Sequence, residues 1–162
     1  MRRTISVLAA LALMSAAWRT APAQDVSIDG AWVLTATADS AGNANEQPQP
    51  GLFVFTGTHY SMMFATGNGQ RERYTAETPT DADMIAAYGT IVANSGRYQV
   101  DGDKVTMRAY VAKDPNFMGD WPENAFSASV HLAGDTMHWT WGNGSMFTFR
   151  RTEGSPAPWE AD

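Results

Sequence analysis

Two histidines, His131 and His138, flank a Gly134-Asp135 pair suited to a two-residue hairpin turn. Such a turn pairs Leu132 with Met137 and sets the two imidazoles opposite each other. A zinc site can begin that way, with His59 as a conceivable third ligand. Alternation argues against it. His131 shares a face with Ser127 and Ser129, and His138 with Thr136 and Thr140. Phe126, Val130, Leu132, Met137, Trp139 and Trp141 occupy the other face, which belongs to a core. The pair is therefore expected on the outer surface, and no metal site and no cofactor are expected.

Acids come in two groups, Asp81 with Asp83 and Asp114 with Asp120 and Glu123. Both fall in long connections, where they read as a helix first turn and a solvated loop. A sharper reading is an acidic mouth that admits cationic or hydroxylated molecules and turns anions away. No nucleophile arrangement accompanies them: the chain has no Cys, no Gly-x-Ser-x-Gly elbow and no Gly-rich phosphate loop. The remaining chemical candidates are the phenols of Tyr60 and Tyr98 and the guanidinium of Arg71, set among many aromatic rings.

Those rings need elements to place them. Alternating apolar runs at about ten-residue spacing are the pattern of a sandwich or barrel. Strands are expected over 31–38, 52–56, 59–66, 97–100, 104–112, 126–132, 136–141 and 147–152. On the first, Trp32, Leu34 and Ala36 share a face. Residues 39–50 read as a mobile polar loop. Thr80 is placed to cap a helix over 80–92, with Met84, Ile85, Tyr88 and Ile91 spaced to lie on an apolar surface. Residues 113–124 form a loop with Pro115 and Pro122. The first, third and fifth connections are long and the others tight, so one end of the assembly is loop-rich and the other closed. The expected fold is all-β: an eight-stranded antiparallel up-and-down barrel, with one helix inserted between strands 3 and 4. Its inward faces collect Phe53, Phe55, Tyr60, Met62, Phe64, Tyr98, Met107, Trp139, Trp141, Phe147 and Phe149, either filling the barrel or lining a pocket.

Residues 1–23 read as a secretory signal: Arg2 and Arg3, an apolar run from Ile5 to Trp18, and Ala21-Pro22-Ala23 before Gln24. The run is shorter than the roughly 20 residues of a membrane span, so no stable membrane insertion is expected. Cleavage would leave eight basic residues against 17 acidic ones, a net charge of −9 in place of −6. Such a surface repels phosphate backbones, so nucleic acid is a poor partner. The expected location is periplasmic or secreted, and without Cys the chain depends on its core alone. The domain is expected over 28–152, with a loose tail over 153–162.

Gly30-Ala31-Trp32, Gly51-Leu52-Phe53, Gly57-Thr58-His59-Tyr60-Ser61, residues 96–103 and Pro115-Asn116-Phe117-Met118-Gly119 follow one another in an order similar to the bacterial and fungal lipocalin-like domain family. The resemblance implies a calycin-type barrel holding a small apolar molecule. It also implies a structural floor, in which Trp32 with Gly30 plugs the closed end and an Arg of the last strand covers the ring. Alternation selects Arg151, which shares a face with Phe147 and Phe149, over Arg150. Two positions depart from the family pattern: Met107-Arg108 stands where many relatives carry a His, and Asn124 where many carry an Arg.

The function expected is the binding of a small hydrophobic or amphipathic molecule in the lumen of a monomer-sized barrel. Its lining would be the eleven residues Phe53, Phe55, Tyr60, Met62, Phe64, Arg71, Tyr98, Met107, Trp139, Trp141 and Phe147, with residues 39–50 or the helix as a lid. Two alternatives are an isomerase or cyclase using Tyr60, Tyr98 or Arg71 on an apolar substrate, and an inhibitor of an exported hydrolase presenting Phe117, Met118 and Trp121.

Overall fold

The computed structural model describes residues 27–67, 71, 73–75, 77–118 and 124–152. The expected signal and tail lie outside these residues, as do Asp120, Trp121 and Glu123.

Nine strands run in chain order: β1 (Gly30–Ala38), β2 (Ala44–Asn45), β3 (Gly51–Thr56), β4 (His59–Ala65), β5 (Ile91–Asp101), β6 (Lys104–Ala112), β7 (Ala125–Ala133), β8 (Thr136–Trp141) and β9 (Met146–Arg151). Among the described residues one helix, α1 (Asp81–Gly89), precedes β5, and one 3-10 turn (Pro115–Met118) follows β6. β1 and β3 to β9 pair antiparallel in sequence order, and β9 returns to β1, closing an eight-strand barrel. Turns at Gly57, Gly102 and Gly134, each with positive φ, close one end. The connections that follow Ala38, Ala65 and Ala112 leave from the other.

The helix lies between β4 and β5 rather than between strands 3 and 4, because a strand in the 39–50 connection adds one to the count. The loop expected to be featureless contributes β2, whose Ala44 and Asn45 pair with Ala38 and Thr37 of β1. The helix is also shorter than expected. Thr80 and Asp83 form a reciprocal capping box at its start, but Ile91 and Val92 already belong to β5. No residue of α1 is buried, so its apolar face does not rest on the barrel. Ile85 is 71% exposed. Polar bonds hold the helix instead: Tyr88 Oη donates to the Lys113 carbonyl (2.6 Å), and Lys113 Nζ donates to the carbonyls of Tyr88 and Ile91 (2.6 and 2.7 Å).

Period-two alternation puts one face of each strand into the barrel, and there the core forms. Trp32, Phe53, Phe55, Met107, Met137, Trp139 and Phe149 are fully buried. Phe53 is the centre of the stack, 4.5 Å from Phe149 and 5.7 Å from Trp139, ring centroid to centroid. Rings therefore interlock in the half of the interior near Trp32, each ring pair adding about 0.5–1.5 kcal/mol beyond its buried area. Gly96 is required where β5 crosses β6: a Cβ there would lie 1.9 Å from the Arg108 carbonyl oxygen. The register shifts at this point, between Ser95 and Gly96.

Candidate functional site

A second register shift shapes the other half of the interior. On β1 the pairing with β9 jumps from Leu34–Phe149 to Ala36–Thr148, so two residues of β1 oppose one of β9. Alternation restarts after the bulge. Thr37, not Ala36, becomes the partner of inward-facing Phe147, and the face expected to carry Trp32, Leu34 and Ala36 carries Trp32, Leu34 and Thr37.

The other edge of β1 is claimed in two pieces. β3 pairs with it from Gly30 to Val33, and β2 from Thr37 to Ala38. Between them residues 46–50 swing away, and a cavity of about 480 Å³ opens at the loop-rich end. Its apolar wall is Leu34, Phe64 and Phe147, and its polar wall includes Thr37, Asn45, Gln49 and Ser145. Gly51 allows Phe64 to pack this close to Leu34, since a Cβ would meet both at about 3 Å.

The loop that roofs the cavity is built, not slack. Asp39 accepts bonds from the main-chain N–H groups of Ala41 and Asn43 and from Asn43 Nδ2, all within 2.9 Å. The Asn43 bonds hold its carboxyl below the ordinary carboxylate value. Asn45 Oδ1 caps the N–H of Gln47 at 3.0 Å. Pro48 and Pro50 flank Gln49, and Pro50 confines it to an extended backbone. The Pro50 carbonyl accepts from Ala65 N at 2.9 Å. Gln49 is only 8% exposed, and its carboxamide makes no hydrogen bond within the described residues.

The eleven residues expected to line the site separate by depth. Phe64 and Phe147 line the cavity. Trp141, half-buried, packs against Phe147 with ring centroids 5.7 Å apart. Phe53, Phe55, Met62, Met107 and Trp139 are buried in the packed core. The Trp139 indole N–H is sealed there without a hydrogen-bond partner. Tyr60 is buried too, its hydroxyl donating to Asn94 Oδ1 at 2.7 Å, and burial pushes its pKa well above the usual phenol range. Tyr98 is turned to the Trp32 end. Its hydroxyl donates to Asp29 at 3.1 Å, and burial followed by the Asp29 bond raises its pKa to about 12. Arg71 is exposed and donates to the Ala87 carbonyl of α1 at 3.2 Å, away from the cavity lining. Leu34, Thr37, Asn45 and Gln49 are lining residues that sequence reasoning passed over. The Pro-Gln-Pro triplet was the available signal, since a polar side chain held between two prolines is an unusual feature for a slack loop.

At the closed end the Arg151 guanidinium covers the Trp32 ring at 4.1 Å. Arg151 also donates to the Asp29 carbonyl, while Trp32 Nε1 donates to the Ile28 carbonyl at 2.8 Å. Gly30 holds φ at 125°, a conformation only glycine adopts freely. On the outer surface His131 and His138 stack with centroids 6.3 Å apart, both exposed. Among the described residues no group of three or more His, Cys, Asp or Glu is placed to hold a metal ion. No described helix is long and apolar enough to cross a membrane.

A closed antiparallel meander of eight strands, with one end plugged by a Trp–Arg pair and the other open, decides the architecture. The fold is a closed, eight-stranded, antiparallel up-and-down barrel. Among solved structures, the chain is similar to a lipocalin-like protein from Bacteroides uniformis, with 15% identity, 76% of this chain and 96% of that one covered, and a TM-score of 0.47. It is also similar to a protein from Bacteroides eggerthii, at 13% identity, 76% and 98% coverage and a TM-score of 0.46. A third, from Burkholderia xenovorans, has 18% identity, 76% and 81% coverage and a TM-score of 0.39. No family model and no curated protein matches the chain. An eight-stranded barrel encloses either packed side chains or one small ligand.

Proposed function

We propose that this chain is an exported lipocalin-like barrel that binds a small hydrophobic or amphipathic molecule at the open end of its interior. The carrying observation is the cavity of about 480 Å³ between Leu34, Phe64 and Phe147 on one side and the 39–50 loop on the other. Its volume is in the range of small-molecule sites, and apolar walls with a few polar tips are their usual lining. The packed rings below act as the base of the site, and the ligand stays near the mouth. Export rests on the signal-like residues 1–23. Binding without chemistry is the reading the interior supports: its buried phenol, Tyr60, holds its proton firmly and spends its hydroxyl on Asn94. A general acid or base needs a pKa near the working pH.

Trp141 touches Phe147, so a bound molecule should alter tryptophan emission. Titration with retinol-like and flat aromatic molecules is expected to give saturable quenching at one site. Thr37→Trp, which fills the cavity, should abolish it without lowering the melting temperature. No saturable change with any of these molecules would overturn the reading.

A further inference from the structure

We infer that the cavity selects uncharged molecules that present a hydrogen-bond donor and acceptor side by side, as an amide or lactam edge does, and turns away the matching carboxylates. This rests on the binding proposed above and names the class of molecule bound. The motivating group is Gln49, a cavity-lining side chain more than nine-tenths buried and engaged by nothing within the described residues. A carboxamide offers one carbonyl acceptor and an NH2 donor on a single edge. An amide edge satisfies both at once. A carboxylate places an oxygen against the Gln49 carbonyl and brings a charge that something must neutralise.

Nothing in the lining does so. Among the described residues the wall contains no Lys, Arg or His, and its one ionisable residue is Asp39, itself an anion. Its bonds from Ala41 and Asn43 use three of the roughly four lone-pair sites of its two oxygens, so its charge repels an anion while little capacity for a further donor remains. Preorganisation strengthens the case. The flanking prolines fix the Gln49 backbone, and Ala65 N anchors Pro50, so little ordering remains to be done when a partner arrives. Sharing the lining with Gln49 are the Phe64 and Phe147 rings, 5.2 Å apart and nearly perpendicular. They suit a flat apolar body of one or two fused rings.

Four probes of nearly equal size separate the possibilities in calorimetric titrations of the full chain: naphthamide, naphthoate, naphthylmethylamine and methylnaphthalene. Naphthamide is expected to bind at least about tenfold tighter than the other three, a difference of roughly 1.4 kcal/mol. Gln49→Leu should remove that advantage while methylnaphthalene binds as well or better. Gln49→Met is the near-isosteric second variant, and both should melt with the parent, because this carboxamide holds no other part of the fold. Equal or tighter binding of naphthoate or the amine overturns the inference, as does an amide preference that survives in both variants. In either case methylnaphthalene binding would leave the proposed function standing. If none of the four binds, both fall.

Discussion

Arg151 and Trp32 are direct cross-strand partners on β9 and β1, and the guanidinium carbon lies 4.1 Å from the centre of the indole ring. The contact sits on the seam where the last strand meets the first. Removing the cation while keeping bulk, as in Arg151→Met, should cost about 1–2 kcal/mol. Trp32→Ala, which empties a fully buried site, should cost about 3–5 kcal/mol. Urea denaturation measures both. Affinity at the open end, scored per folded molecule, should be unchanged, because neither residue lines the cavity.

Gly96→Ala should be more damaging than its size suggests. The added methyl would lie 1.9 Å from the Arg108 carbonyl oxygen, which is main chain and cannot swing aside. β5 and β6 must separate, at an expected cost of about 3 kcal/mol or more. Gly57→Ala, with open space around its Cβ and only an unfavourable φ of 59°, should cost about 1 kcal/mol. Thermal melts of the two variants check the order.

Tyr60→Phe should cost about 1–3 kcal/mol, most of it from the buried Asn94 acceptor left without its donor. The double variant Tyr60→Phe with Asn94→Leu should recover part of that loss, since no unpaired polar atom then remains. A double-mutant cycle in chemical denaturation gives the coupling.

Alkali should weaken the fold through the same buried phenols. Tyr98 has its pKa raised from 10.0 to about 12, and Tyr60 moves in the same direction. A folded state that holds its proton more tightly than the unfolded chain keeps that stability in full below pH 10. It loses it as the pH rises from about 10 through 12. Unfolding free energy measured against pH should fall across that window. Phenolate absorbance should show Tyr98 and buried Tyr60 ionising later than exposed phenols. Tyr98→Phe should flatten the upper part of the profile.

The barrel was legible because strand alternation is a strong local signal: the inward positions of β3, β4, β8 and β9 follow directly from Phe53, Tyr60, Trp139 and Phe149. What was not legible depended on single-residue irregularities. The β1 bulge has no mark in Val33-Leu34-Thr35-Ala36-Thr37, where every residue fits a plain strand. The Ala44–Asn45 ladder is two residues long and decided by β1 across the loop. The helix face of Met84, Ile85 and Tyr88 has the right spacing for packing. Spacing says only that such a face could be covered, and in the fold α1 is tied down by Lys113 and Tyr88 instead. The depth of each inward residue was equally hidden, since alternation sorts inside from outside and not base from mouth.

The extra residue in β1 works as a change of phase. Before it the strand delivers Trp32 and Leu34 to a hydrocarbon interior; after it the same strand delivers Thr37. Plain alternation through Thr35, with no bulge, would instead carry Ala36 inward and turn Thr37 outward. The polar wall would lose its first member, although no loop residue had been touched. The chemistry of the open end is therefore written partly in the counting of a strand, and a shift of one position there would redraw it.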